Sequence, residues 1–343
     1  MTRSMRFSDP HIEMAHGAGG KASRRLIEGL LAPILFDKPS EPLGDAALLL
    51  LNGTALAITT DSFVVKPLSF PGGSIGELAV NGTVNDLAVS AARAEALVVT
   101  YVLEAGLATA ILEAETRALA RAAKCAGVVI AGGDTKVVEY GKADQMYVTT
   151  CGIGRPIDGV VISPSSVCPG DKIILSGPIG DHGITILLAR GELDLEADLR
   201  SDTRPVLPLV EALARASGPG IRWMRDPTRG GVATALNELA RDCGLGIHLN
   251  EEAIPVRDAV RGACELLGLD PLHIANEGQF LAVMAPESAD AGLEALRRAP
   301  GGSEARMIGE VRERPQGTVL VGTRYGGSRV VDMLVGDPLP RIC

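Results

Sequence analysis

Between residues 55 and 153 the chain switches repeatedly between two hydrophobic periods. Residues 55–59, 96–103, 128–131 and 146–153 are short runs of Val, Ile, Leu and Ala and predict strands. Residues 75–92 and 108–126 carry apolar positions at helical spacing and predict helices. Alternation of this kind layers helices on a sheet. Pro156 and the Ser-Pro-Ser-Ser run at 163–166 interrupt the pattern. It then resumes, with strands expected at 172–175, 221–224, 246–249 and 280–285 and helices at 183–189, 205–216, 231–243, 256–267 and 289–298. The expected organisation is an α/β (α+β) protein with two domains, 45–156 and 165–335. An N-terminal segment with a glycine-rich loop (1–44) precedes them, and a flexible tail (336–343) follows. Pro338 and Pro340 keep the tail from continuing a helix. Eight extended residues reach at most ~29 Å, enough to enter a neighbouring cleft.

Aromatic residues are only 3% of the chain, so its core must be built from Leu, Val, Ile and Ala at close backbone distances. A net charge of −9 without a Lys/Arg run argues against nucleic-acid or membrane-surface binding. The most apolar window, 46–58, is broken by Asn52-Gly53-Thr54 and falls short of the ~20 residues that span a bilayer. Arg3 and Arg6 are followed by Ser8-Asp9-Pro10 instead of an apolar stretch, so a cytoplasmic location is expected. Among the six cysteines there is no C-x-x-C pair. Cys125, Cys151, Cys243 and Cys264 fall in regular segments as small apolar fillers, whereas Cys343 ends the tail.

No Walker-type loop is present, so phosphates need another cradle. Asp45, Asp61, Asp86 and Asp134 stand where strands end or helices begin and could share a hard cation such as Mg²⁺. Turn capping is the alternative for Asp61 and Asp134, and a loop carboxylate for Asp45. Asp86 interrupts an apolar helix and needs a metal ion or a cationic side chain as partner. Glycine-rich segments at 16–21, 70–73, 132–133, 176–180 and 229–231 raise the prospect of a phosphate-rich ligand. Lys136 and Glu277, in tight loops of separate domains, are candidates for proton transfer if they meet in a cleft, with plain surface charge as the alternative. His16 and His182 are read as structural.

The segments His16-Gly-Ala-Gly-Gly-Lys21, Thr59-Thr-Asp-Ser-Phe-Val-Val-Lys-Pro-Leu68, Gly82-Thr-Val-Asn-Asp-Leu-Ala88 and Gly133-Asp-Thr-Lys-Val-Val138 form a recognisable set. With them stand Arg225-Asp-Pro-Thr-Arg-Gly-Gly231, Ala275-Asn-Glu-Gly278 and the terminal Pro340-Arg-Ile-Cys343. Together they resemble the HypE family of hydrogenase maturation factors, a branch of the aminoimidazole ribonucleotide synthetase and selenophosphate synthetase group. The resemblance implies a homodimer with that group's two-domain fold. It also implies an ATP-dependent enzyme that dehydrates a carbamoyl group on the sulfur of Cys343 to a thiocyanate, with Lys136 and Glu277 moving protons. Mg²⁺ is then expected at Asp45, Asp61 and Asp86. The nucleotide is expected at Gly19, Gly20, Lys21, Gly132, Gly133, Asp134 and Thr135, together with Asp61 and Asp86. The implied partners are the carbamoyltransferase HypF and the HypC–HypD iron scaffold. The chain departs from the pattern at Asp45, which is followed by Ala46 where the wider group has a second aspartate, and at Asn81, where a cysteine is common. A small-molecule kinase of the same fold, or a non-catalytic docking scaffold, would leave the terminal cysteine or the glycine and carboxylate loops without a use.

Overall fold

The computed structural model describes residues 7–36, 43–191, 195, 197–336, 339 and 341–343. Arg3, Arg6, Pro338 and Pro340 lie outside the described residues. The N-terminal segment holds α1 (Gly20–Leu26) and α2 (Ala32–Leu35). The apolar window is a hairpin of β1 (Ala47–Leu51) and β2 (Thr54–Phe63). Asn52 and Gly53, with φ of 50° and 82°, make the two-residue turn that such a hairpin requires.

The rest of the first unit comprises β3 (Ser69–Phe70), β4 (Gly73–Ser74), α3 (Ile75–Val89), β5 (Ala92–Glu104), α4 (Thr109–Ala126), β6 (Val129–Val138) and β7 (Met146–Pro156). Its sheet runs in the order β1-β2-β7-β5-β6. Side chains alternate across the faces. Ala57, Phe63, Leu97, Val99 and Val148 are buried and form the inner face, against which α3 lies. Among the described residues nothing covers the outer face, leaving Leu49, Leu51, Val98, Val129 and Ile153 exposed. β6 runs on to Val138, paired with β5 throughout, so Asp134, Thr135 and Lys136 lie within a strand and not in the loop expected. Gly133 permits this, because a Cβ there would collide with the Val99 carbonyl.

The second unit comprises β8 (Lys172–Leu175), α5 (Asp181–Ala189), α6 (Leu207–Ser217), β9 (Ile221–Arg225), α7 (Gly231–Cys243) and β10 (Gly246–Asn250). It continues through α8 (Asp258–Leu267), β11 (Leu281–Met284), α9 (Pro286–Arg298), β12 (Arg306–Arg312), β13 (Val319–Gly322) and β14 (Ser328–Val331). The sheet order is β14-β13-β10-β12-β8-β11-β9. Val232, Leu236 and Leu239 of α7 pack on one face with Ile173, Leu175 and Val283. Leu209 and Leu213 of α6 and Leu293 of α9 pack on the other with Ile174 and Met284. Coverage on both faces explains why residues 173–175 of β8 and all of β11 read as unbroken apolar runs. No helix among the described residues is long and apolar enough to cross a membrane.

Helix α3 joins the two units. Gly76 sits so close to Glu115 that a Cβ would collide with its carbonyl, which lets α3 and α4 pack tightly. At the other end Ala88 and Val89 belong to the second unit's core. Buried Asn85 fixes the junction, its Nδ2 donating to the carbonyls of Arg204 (2.9 Å) and Glu277 (3.1 Å) and its Oδ1 accepting from Val206 N–H (2.8 Å). Removing that side chain strands three buried backbone groups, each costing ~1–3 kcal/mol when left unmade. Asn85→Ala is expected to lower stability by about 3 kcal/mol in a urea titration, and a loss under ~1 kcal/mol would show that the junction does not depend on this residue.

Candidate active site

The strands and helices deliver five acidic side chains to one pocket between the units. Asp45 precedes β1, Asp61 projects from the inner face of β2, Asp86 comes from α3, Asp226 follows β9, and Glu277 precedes β11. Thr59, Thr60, Gly82, Thr228, Arg229 and Cys343 complete a cavity of about 160 Å³. Gly82 leaves room for the Phe63 ring, which a Cβ would approach to 2.8 Å.

Carboxylate oxygens of Asp45, Asp86 and Asp226 lie within 4.8 Å of one another. Burial pushes the Asp45 carboxyl up to about 6 even though Arg225 Nε stands 3.2 Å away. Asp86 and Asp226 are raised well above the usual carboxylate range, first by burial and then by the neighbouring aspartates. Asp61 is raised by burial, against the pull of Arg229 at 3.7 Å and of the Ser62 N–H it accepts at 2.7 Å. Asp86 finds a hydrogen-bond partner in the Thr59 hydroxyl (2.9 Å), and the described residues place no cationic side chain in an ion pair with it. Such a cluster favours either protons or a hard cation.

Glu277 is held by its backbone, its N–H donating to Asp202 Oδ1 (3.0 Å) and its carbonyl accepting from Asn85. Its Oε1 is buried without a hydrogen-bond partner, and burial raises the carboxyl well above its ordinary value. Arg229 lies between the charges. The negative charge of Cys343 favours its cationic form most, with Asp61 and Glu277 adding to the effect, against burial. Its NH1 donates to Gly17 O at 3.1 Å.

The tail lies along residues 64–66. Val64 N–H donates to the Cys343 carbonyl (3.0 Å) and Lys66 N–H to that of Arg341 (3.3 Å). Leu339 and Ile342 are buried in a core cluster that joins first-unit residues to Ile184, Val260 and Ile274 of the second unit. Cys343 is thereby brought to the carboxylate pocket and to an adjoining recess lined by Gly17, Ala18, Ser62 and Arg229.

The expected residues therefore separate into groups. Asp45, Asp61, Asp86, Glu277 and Cys343 meet. Gly19 and Gly20, with φ of 81° and 71°, pack against Arg229 and Leu334, where Cβ atoms would collide, and Lys21 pairs with Asp332 at 2.5 Å. Their loop thus supports Arg229 from behind. Gly132, Gly133, Asp134, Thr135 and Lys136 lie on β6, across β5 and β7 from β2, about 14 Å away. Asp134 and Lys136 pair with each other at 2.7 Å on the outer face, opposite the face from which Asp61 projects. Asp226 and Arg229 were not singled out from the sequence, though both stand in the quoted segment 225–231. The signal was an acid and two arginines in a proline-fixed turn before a helix.

These features define an AIR synthase-related protein. The N-terminal domain model of that family matches residues 43–155 and the C-terminal domain model residues 168–322. Carbamoyl dehydratase HypE of Azotobacter vinelandii is 48% identical over 332 residues, 97% of each chain. A crystal structure of a HypE–HypF complex matches with a TM-score of 0.85 and 43% identity, over 90% of this chain and 99% of the other. A HypE structure in complex with ATP matches with a TM-score of 0.81 and 44% identity, over 97% and 100%. Within that class, the chain belongs to the HypE family of carbamoyl dehydratases, which mature [NiFe]-hydrogenase.

The raised carboxyls fix the sign of a pH effect. A group whose pKa rises from about 4 unfolded to about 6 folded binds protons more tightly in the native state, so its ionisation costs stability as pH climbs through that window. In metal-free protein, Asp45→Asn is expected to gain stability relative to the parent between pH 4 and pH 6.5, read as the difference in urea midpoints. A difference that stays constant or shrinks contradicts the assigned shift.

Proposed function

We propose that this chain uses ATP to dehydrate a carbamoyl group carried on its own Cys343, leaving a thiocyanate. The observation that carries the reading is that Cys343 lines the same pocket as Asp61, Asp86, Asp226, Arg229 and Glu277. Transfer of the γ-phosphoryl group to the carbamoyl oxygen, with ADP leaving, converts a poor leaving group into phosphate. Loss of the two nitrogen protons and cleavage of the C–O bond then give the nitrile, ADP and inorganic phosphate. Glu277 has a free carboxylate oxygen for one proton, and Arg229 beside it favours its ionised form. The aspartates offer only oxygen ligands, which suits Mg²⁺. Asp45, Asp86 and Asp226, whose oxygens converge, would hold it, with Asp61 lining the same pocket outside that trio. When bound, it neutralises charge on the phosphates and the transferring group.

The nucleotide takes more space than the ~160 Å³ cavity of one chain offers, since ligand sites usually exceed ~300 Å³. A homodimer formed through the exposed apolar outer face of the first sheet supplies the remainder. Lys136, Asp134, Thr135, Gly132 and Gly133 then act from the second copy, because β6 lies three strands from β2 and Asp134 and Lys136 point from the outer face, away from their own pocket. In this reading HypF loads Cys343, and the cyano group passes to iron on HypC–HypD.

With HypF and carbamoyl phosphate, intact-mass spectrometry is expected to show one carbamoyl adduct that loses one water on adding MgATP. A full adduct on Cys343→Ala would refute the carrier role. Asp226→Asn should weaken MgATP binding at least tenfold, and unchanged affinity removes it from the metal set. Lys136→Ala and Cys343→Ala should each be inactive alone yet regain activity when mixed as heterodimers, because the intact Lys136 then faces the intact Cys343. Heterodimers that form without regaining activity place Lys136 in its own subunit or outside the reaction.

A further inference from the structure

The mechanism leaves a buried imidazole unused. His182, in the first turn of α5, has Nε2 2.6 Å from the Ile342 carbonyl and Nδ1 2.8 Å from the Ser201 hydroxyl. A carbonyl only accepts, so Nε2 carries the proton and Nδ1 accepts from Ser201. Ser201 Oγ in turn accepts from Thr203 N–H at 3.1 Å. Phe70 packs edge to face against the imidazole with centroids 5.7 Å apart. Burial pushes its pKa down to about 4, so the ring is neutral.

The tail is shaped to meet this donor. Arg341 adopts the left-handed region, φ 59°, which is costly for a residue with a Cβ. It is held there by its guanidinium on Asp144 (2.7 Å) and by its carbonyl, which accepts from Arg190 at 2.9 Å. The turn presents the next carbonyl to His182 and sends Cys343 on to the pocket.

We propose that His182 is the positioning residue that latches the carrier tail inside its own subunit, so that the Cys343 sulfur is presented to the carboxylate pocket. The proposal rests on Cys343 being the carrier, but the latch itself exists on the bare thiol and can be read without ATP. Full-length protein is treated with iodoacetamide and each cysteine is followed by peptide mass spectrometry, with exposed Cys125 and Cys168 as internal references.

His182→Ala is expected to raise the Cys343 alkylation rate about tenfold while the references stay unchanged, because the Ile342 carbonyl loses its buried donor. His182→Gln, whose amide N–H reaches the same carbonyl, is expected to restore most of the protection. An unchanged Cys343 rate in His182→Ala overturns the latch. Should that variant not fold, Ser201→Ala keeps the ring but frees its tautomer and is expected to raise the rate several-fold, and no increase overturns the proposal. On carbamoyl-loaded protein, His182→Ala should slow single-turnover dehydration while keeping the KM for MgATP. Wild-type turnover with an unprotected tail overturns the positioning role alone, whereas a parent protein that is never carbamoylated overturns the carrier reading and leaves the latch standing.

Discussion

Asp45, Asp86 and Asp226 hold carboxylate oxygens within 4.8 Å of one another in a buried pocket, with Asp61 and Glu277 beside them. Charges of one sign at that distance in a low-dielectric site repel strongly, and the pocket exists only because the surrounding fold enforces it. Two arginines offset part of the charge. Arg225 is paired to Asp45 and Glu238, and Arg229 stands between Asp61 and the end of the chain. The remaining negative charge selects what can enter: protons, a hard cation, and a phosphate-bearing ligand accompanied by that cation.

Much of the architecture serves to hold this arrangement. Helix α3 carries Asp86 and is buried along most of its length, so its position cannot drift without breaking both cores. Asn85, next to it in sequence, bonds to the carbonyl of Glu277 and so fixes the spacing between an aspartate of one unit and a glutamate of the other. Asp226 and Arg229 share one turn, whose Pro227 carbonyl accepts from both nitrogens of Asn276, the neighbour of Glu277. The acidic residues are thus positioned by backbone and amide hydrogen bonds that do not titrate. The tail joins the same construction, with Leu339 and Ile342 in the core and Cys343 at the pocket.

Wherever one hydrophobic period ran uninterrupted, the element was legible from the sequence. The expected helices at 75–92 and 108–126 match α3 and α4 to within a few residues. The strands β12 and β14 were not expected, because Arg306, Glu310 and Arg329 break their apolar pattern, and β13 was not expected because its apolar run is only three residues long. Of the β1–β2 hairpin only residues 55–59 were expected as a strand, and β1 lies in the apolar window broken by Asn52-Gly53-Thr54. For the site, Asp86 was legible because a carboxylate in an apolar helix demands a partner, and Cys343 because it belonged to no regular segment. Asp226 and Arg229 were not, since their roles depend on a turn folding over a distant strand. Lys136 shows the limit most clearly, because its spacing placed it in a loop whereas the pairing of β6 with β5 sets it on the outer face of the sheet.

The proposed chemistry requires the Cys343 sulfur, docked over the acidic pocket, to carry the carbon that becomes a nitrile. Infrared spectroscopy of protein loaded with ¹³C-carbamoyl and mixed with MgATP tests this directly, because a nitrile stretch falls in a window free of protein absorption. A band that grows with ADP formation, shifts with the isotope and is absent in Cys343→Ala is the predicted result. ATP hydrolysis by loaded protein without such a band, or a band that survives in Cys343→Ala, would contradict it.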